Sequence, residues 1–178
     1  MKKYFLLYKP FLVFLASFFG CYVLLSLLYH FYLSSFGGNA VDTVTQIVAQ
    51  NSAKVISWFF MRIQPEVLAG EPFVRMYFQN KYIVQIVEGC NGVSVVILFI
   101  SFIVAFSGSL KNTLLFIFGG TLLIYILNVL RIAMLIVLMY YLPEKKHLMH
   151  SVLFPAVIYG AVFILWVIWV NKFSKYAK

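Results

Sequence analysis

The fold is decided by residues 112–142, which read NTLLFIFGGTLLIYILNVLRIAMLIVLMYYL and carry a single charge, Arg131. As one helix this run would extend ~46 Å, which exceeds the ~30 Å hydrocarbon core of a bilayer. We therefore expect a membrane-spanning helix that tilts, protrudes or breaks. Gly119-Gly120 and Asn128 are the two positions at which a bend is expected.

The whole chain has the composition of a membrane protein. Of its 178 residues, 63% are hydrophobic and 11% are charged, and the mean hydropathy is +0.96. A soluble domain of this size could not hide so much apolar surface. The net charge of +9 does not indicate a nucleic-acid partner, because the lysines flank long apolar runs. Cys21 and Cys90 form no disulfide framework or zinc motif, so we expect no metal and no cofactor.

Four apolar runs predict four membrane spans in a single membrane domain, residues 1–178. The spans are expected at about 10–33, 90–107, 112–142 and 150–170. The first run is too long for a cleaved signal peptide, and it stays apolar past Cys21, which disfavours a lipoprotein signal. The fold class is therefore an all-α polytopic membrane protein.

The polar stretch 34–89, between the first two spans, is predicted to add an amphipathic helix and a small β-hairpin. Residues 41–60 have an apolar stripe at helical spacing, and Trp58, Phe59 and Phe60 are expected to anchor that helix at the membrane interface. The residues of the stripe are Val41, Val44, Ile47, Val48, Val55, Trp58 and Phe59. Two β-rich runs, 73–78 and 81–87, surround the short polar turn Gln79-Asn80 and indicate the hairpin.

The distribution of basic residues predicts that both termini are cytoplasmic. With four spans, the cytoplasmic side would hold seven lysines and no acid, which agrees with the positive-inside rule. These are Lys2, Lys3, Lys9, Lys111, Lys172, Lys175 and Lys178. Lys145 and Lys146 are the exception. This topology places the start of spans two and four, and the second half of span three, on the outer side.

Cys90, Arg131 and His150 are the candidate catalytic residues, because the predicted topology brings all three to the outer face. An arginine inside a span is costly without a function or a partner, and Asn128 at i−3 is placed to orient it. A cysteine between glycines at the start of a helix, near an arginine, is suited to act as a thiolate nucleophile, and the alternative is a buried structural thiol. His150 would serve as general acid and base, with His147 as the alternative.

The expected chemistry is attack of the Cys90 thiolate on a peptide carbonyl to give a thioester. Arg131 would stabilise the oxyanion, and His150 would protonate the leaving amine and then activate the incoming nucleophile. Glu88 would orient either His150 or Arg131.

The motifs Glu88-Gly-Cys90-Asn-Gly92, Asn128-x-x-Arg131 and His150 near the start of the last span resemble the exosortase/archaeosortase family. The resemblance covers about residues 80–172 and is strongest to the short exosortase F branch of the Bacteroidota. It implies catalytic roles for Cys90, Arg131 and His150, with Asn91 and Gly92 in the motif around the cysteine.

The resemblance also implies the substrate and the location. The family is expected to cleave secreted proteins near a C-terminal sorting signal, made of a short motif, a transmembrane helix and a basic tail. The chain would lie in a bacterial inner membrane with its site facing the periplasm, beside a small companion membrane protein. The acceptor of the cleaved protein stays open between water, a lipid and a glycan.

This chain departs from the family pattern at three points. It lacks the extra N-terminal spans of longer members, and Asn91 replaces the common serine after the cysteine. Phe154 stands where many members have a glycine four residues after the histidine, which keeps His147 as an alternative.

Three other functions compete with this one. A non-enzymatic assembly or transporter component would not need Cys90, and a membrane acyltransferase would form a lipid-derived thioester. A channel is disfavoured because no span has a repeated polar stripe.

Overall fold

The computed structural model describes residues 2–59, 63–106, 108–145 and 152–174. These residues form five α-helices, three β-strands and two short 3-10 turns. In chain order they are α1 (Lys2–Ser34), α2 (Thr43–Phe59), β1 (Ile63–Val67), β2 (Phe73–Phe78), β3 (Lys81–Val87), a 3-10 turn (Glu88–Cys90), α3 (Val93–Ala105), α4 (Leu110–Tyr141), a second 3-10 turn (Pro143–Lys145) and α5 (Phe154–Lys172). The chain is therefore mostly helical, as predicted.

Three helices in the described part of the chain are long and apolar enough to cross a membrane. They cover Tyr8–Ser34, Leu110–Tyr141 and Phe154–Lys172, which agrees with three of the four predicted spans and makes this a multi-pass membrane protein. The predicted span 90–107 forms a helix of only 13 residues, Val93–Ala105, where a spanning helix needs ~20. The count of four full-length spans is therefore not confirmed.

The ends of α1, α3, α4 and α5 meet at two levels, so successive helices of this set run in alternating directions. At one level Phe106, after α3, packs its ring 4.6 Å from Phe14 of α1 and accepts a hydrogen bond from Trp169 Nε1 of α5 at 2.8 Å. Phe116, near the start of α4, lies 5.0 Å from Trp169, measured between ring centroids. We call this level the basal end. At the opposite end lie α2, the sheet and Cys90.

The run that decides the fold is one unbroken helix. α4 has 32 residues, or ~48 Å, so neither Gly119-Gly120 nor Asn128 breaks the helix, which is longer than the hydrocarbon core of a bilayer is thick. A Cβ atom at Gly120 would lie 2.3 Å from the Phe99 ring, whereas one at Gly119 would meet nothing within 4 Å. Gly120 therefore serves close packing between α3 and α4.

The last turns of α4 support a small layer formed by α2 and the sheet. Ile132, Ala133 and Ile136 of α4 are buried in one core with α2 and the sheet. The other members of that core are Val41, Val48, Ala49, Ala53, Ile56, Val74, Met76, Phe78 and Ile86. Burial alternates along β2, so one face of the sheet packs and the other is open.

The sheet contains the predicted hairpin and one strand more. Gln79 and Asn80, with φ of 49° and 63°, form the tight turn between β2 and β3, in the left-handed region that suits a two-residue hairpin. β1 was not predicted, and it pairs antiparallel with β2 to give the order β1-β2-β3. Its Pro65 lacks a backbone N–H, which is tolerated on an edge strand.

The amphipathic helix is confirmed as Thr43–Phe59, but its predicted apolar stripe is only partly correct. Val48 is buried, whereas Ile47, Trp58 and Phe59 are exposed. Thr45 and Ser52 occupy the buried face instead, because their hydroxyls find hydrogen-bond partners there: Asp42 for Thr45 and the Val129 carbonyl for Ser52.

The glycine pair in α4 gives a test of this packing. Gly120→Ala should lower the free energy of unfolding by ~1–3 kcal/mol, because the added methyl forces the Phe99 ring aside. Thermal denaturation in detergent would show this as a lower Tm. Gly119→Ala is the matched control and should hold or raise the Tm, since alanine is the better helix former. Equal Tm values for both variants would contradict the close contact.

Candidate active site

Cys90 lies on a tight turn between the sheet and α3. The 3-10 turn Glu88–Cys90 follows β3 directly, and Gly92 adopts φ 84°, a left-handed conformation that glycine takes readily. The Asn91 side-chain oxygen accepts a hydrogen bond from Val93 N at 2.9 Å, which satisfies a free N–H at the start of α3. Cys90 is half-buried and its thiol is free.

Asn128 of α4 joins the cysteine turn to Arg131. Its Nδ2 donates to the Cys90 carbonyl oxygen at 2.9 Å, and its Oδ1 accepts from Arg131 Nη1 at 3.4 Å. A Cβ atom at Gly92 would lie 3.1 Å from the Asn128 amide, so the turn packs directly on it. The structure thus brings Cys90, Gly92, Asn128 and Arg131 together across two helices.

Several N–H donors of the Arg131 guanidinium have no partner among the described residues. Among the described residues its one hydrogen bond is the long contact to Asn128, and its Nε is buried without a partner. No carboxylate in the described ranges forms an ion pair with it. A buried donor of this kind requires an explanation, and a bound anion or a developing negative charge would supply one.

Asn91 holds three helices together at this level. Its buried Nδ2 donates to the Tyr29 hydroxyl of α1 at 2.7 Å and to Thr45 Oγ1 of α2 at 3.1 Å. Thr45 in turn donates from its backbone N to Asp42 Oδ1 at 3.0 Å, which caps α2. Asn91 therefore positions the cysteine turn against α1 and α2.

Sequence reasoning missed Tyr29, Thr45 and Asp42 at the site. An aspartate directly before an amphipathic helix is a helix-capping signal, so the capping role of Asp42 could have been predicted from the sequence. No pattern in the sequence marks Tyr29 or Thr45.

In the described structure no hydrogen bond or ion pair joins Glu88 to Arg131. Glu88 lines a cavity between α1 and α3 together with Tyr29 and His30, so its predicted role in orienting Arg131 has no contact to support it in the described structure. His147 and His150 lie outside the described residues. Within the described ranges, no group of three or more His, Cys, Asp and Glu side chains is placed to hold a metal ion.

Through Asn128, the arrangement ties the backbone of a free cysteine to a guanidinium whose donors are partly unpaired among the described residues, at the end of the helical bundle where α2 and the sheet pack. A thiolate is a nucleophile, and a fixed cationic donor in a poorly solvated site stabilises an oxyanion. The geometry therefore suits covalent attack on a carbonyl.

Comparison with known proteins gives one family match. A family model described as Transmembrane exosortase (Exosortase_EpsH) matches residues 5–170. It covers all the elements described here apart from the first three residues of α1 and the last two of α5. The match is to the family as a whole, so the exosortase F branch stays a prediction. No curated protein and no solved structure matches the chain.

The two glycines that flank the cysteine make a matched pair. Gly92→Ala should cost ~1–2 kcal/mol of stability from backbone strain alone, and it should also displace the Asn128 amide. Gly89→Ala meets no atom within 4 Å and is the control. A Tm in detergent that falls for Gly92→Ala and holds for Gly89→Ala is expected, and the reverse order would contradict the described turn.

Proposed function

Because the chain belongs to the transmembrane exosortase family, we propose that it is a cysteine transpeptidase that cleaves C-terminal sorting signals of secreted proteins. Cysteine transpeptidases are the general rule in that family. The observation that carries the proposal is the Asn128 side chain, which ties the backbone of Cys90 to an arginine with unused donors. We further propose that the chain belongs to the short exosortase F branch of the Bacteroidota.

The proposed orientation has both termini in the cytoplasm and Cys90 facing the periplasm, across a bacterial inner membrane. It is supported by Lys9, Lys111 and Lys172, which lie in the parts of α1, α4 and α5 nearest the basal end. Basic residues that flank membrane spans favour the cytoplasmic side. In this arrangement α3 provides the fourth crossing, from the cysteine turn down to the basal end. The layer formed by α2 and the sheet would then cover the site and contact the substrate, with Trp58 and Phe59 in the interface.

In the first step, the Cys90 thiolate attacks the carbonyl carbon of the scissile peptide. A carbon–sulfur bond forms and the carbonyl electron pair moves onto the oxygen. Arg131 stabilises this oxyanion with donors that lack partners in the described structure. Asn128 fixes the relative position of the thiol-bearing turn and the guanidinium.

In the second step, the tetrahedral intermediate collapses and the carbon–nitrogen bond breaks. His150 gives a proton to the leaving amine, which departs with the transmembrane tail of the substrate, and a thioester remains on Cys90. His150 then takes a proton from the incoming nucleophile, whose attack on the thioester carbonyl expels the Cys90 thiolate and leaves His150 protonated again. His147 is the alternative for this role.

The proposed partners follow from this reaction. The substrate is a secreted protein whose C-terminal transmembrane helix lies beside the enzyme in the bilayer, and a small companion membrane protein is a further proposed partner. The competing functions differ in what Cys90 carries: an acyltransferase would carry a lipid acyl group, and a non-enzymatic component would carry nothing.

The two cysteines give a direct test. Cys90→Ala should abolish shortening of a C-terminally anchored candidate substrate, because it removes the proposed nucleophile. Cys21 is a half-buried residue of α1. Cys21→Ala is therefore the matched control, and this variant should process the substrate at the wild-type rate. Blotting for the shortened protein measures both.

Hydroxylamine separates the enzymatic alternatives. It should release the processed protein with a C-terminal hydroxamate, detectable by mass spectrometry, if the thioester is peptidyl. Release of a fatty hydroxamate would favour the acyltransferase, and full processing by Cys90→Ala would favour the non-enzymatic function.

Substitution of Arg131 tests the oxyanion role. Arg131→Gln should lower kcat by ~10²- to 10³-fold with little change in KM, as loss of one oxyanion donor does in other enzymes. Arg131→Lys keeps the charge but loses the planar fork, so its kcat should lie between those of the wild type and Arg131→Gln. Lys111→Gln, at an exposed position near the start of α4, is the control. If KM rises by that factor instead and kcat is unchanged, Arg131 acts in substrate binding.

A further inference from the structure

A polar cavity lies between α1 and α3, behind the cysteine turn. Its volume is about 280 Å³, roughly that of nine water molecules at ~30 Å³ each. The polar side chains that line it are Tyr22, Ser26, Tyr29, His30, Glu88 and Ser94. A carboxylate, an imidazole and several hydroxyls thus converge at one place on a helix that is otherwise apolar.

Glu88 is a charge that the described structure leaves without a cationic partner. Glu71 forms an ion pair with Arg75, and both carboxylate oxygens of Asp42 accept hydrogen bonds from Thr45. Glu88 has neither kind of arrangement, and its carboxylate interacts instead with the Tyr29 hydroxyl. A cationic hydrogen-bond donor would stabilise a half-buried carboxylate of this kind.

Tyr29 cannot by itself meet this need. Its hydroxyl accepts a hydrogen bond from Asn91 Nδ2 at 2.7 Å, so it has one hydrogen left to donate to Glu88. That neutral contact leaves the carboxylate with free lone pairs and an uncompensated charge.

The cavity lies at the end of α1 opposite the basal end, a level at which lipid headgroups are expected because α1 has the length of a membrane span. The most apolar stretch of α1 has no buried residue, so its side chains face the bilayer wherever they do not touch α3. Tyr29 and His30 lie in the last turns of the apolar stretch Tyr8–Ser34, at the end opposite the basal end. A lipid headgroup therefore reaches the cavity without leaving the membrane.

We propose that this cavity binds the headgroup of an aminophospholipid, of the phosphoethanolamine type. The primary ammonium donates hydrogen bonds to Glu88, and the phosphate accepts from the Ser26 and Ser94 hydroxyls and from His30. This headgroup matches the cavity because it joins a cation and an anion over a few bonds. A choline headgroup has no N–H to donate, and a glycerol headgroup has no cation.

Such binding would make the lipid a structural ligand of the site. Glu88 and Cys90 belong to the same 3-10 turn, so a headgroup on Glu88 fixes that turn against α1. The proposal concerns binding alone and does not depend on the chemistry at Cys90.

The test uses the full chain in detergent with three added lipids that share dioleoyl chains: phosphatidylethanolamine, phosphatidylcholine and phosphatidylglycerol. We expect phosphatidylethanolamine to raise the Tm most and to be retained preferentially in native mass spectrometry. Glu88→Gln should reduce that preferential retention by about tenfold or more, as loss of a hydrogen bond to a charged group does. Glu66→Gln, an exposed glutamate on β1, is the matched control and should keep the preference.

Three results would overturn the proposal: equal retention of phosphatidylethanolamine and phosphatidylcholine, a preference unchanged by Glu88→Gln, or equal stabilisation by free ethanolamine. The last would assign the cavity to a soluble amine. If Glu88→Gln does not fold, His30→Ala on the exposed rim takes its place, with the same expected loss. Cys90→Ala should retain the lipid, which separates this binding from the proposed reaction.

Discussion

The amide of Asn128 is the contact on which the site depends. It is buried, and it uses its two ends differently: the nitrogen holds the Cys90 carbonyl and the oxygen holds Arg131. A buried amide must satisfy both ends, so the position of the turn and the position of the guanidinium are coupled through one side chain. Gly92 follows from the same constraint, since any side chain there would displace the amide.

The length of α4 explains how one small chain builds both a membrane anchor and an outer layer. Its first two-thirds pack against α3 and α5, through Gly120 and Ile124. Its last turns pack against α2 and the sheet, through Ile132 and Ile136. Asn128 and Arg131 lie where these two environments meet, which places the polar groups at the boundary of the apolar bundle.

The sequence predicted the parts of the fold that depend on local pattern. Long apolar runs predicted α1, α4 and α5, and the β-rich runs around Gln79-Asn80 predicted the hairpin. β1 escaped notice because it has only five residues and contains Pro65, and a proline within a run argues against a strand. The shortness of α3 was also missed, since hydropathy does not register that Gly92 leaves the helical conformation.

The site could be predicted in part for the same reason. Cys90 and Arg131 stood out as a thiol between glycines and as a charge within a span. The Asn91 network joins residues 62 and 46 positions apart, and such pairings are set by how the helices pack. Glu88 shows the limit clearly: two residues from Cys90 in sequence, it faces α1 and a different cavity.

If α3 provides the proposed fourth crossing, its shortness has a consequence for the membrane itself. Thirteen residues cover ~20 Å, about 10 Å less than the hydrocarbon thickness of an average bilayer. Hydrophobic mismatch of this kind is met by local thinning of the bilayer or by drawing polar groups inward. Either response brings water and the cysteine turn below the ordinary membrane surface. A peptide bond close to a transmembrane tail, normally shielded by lipid, would there lie within reach of a nucleophile.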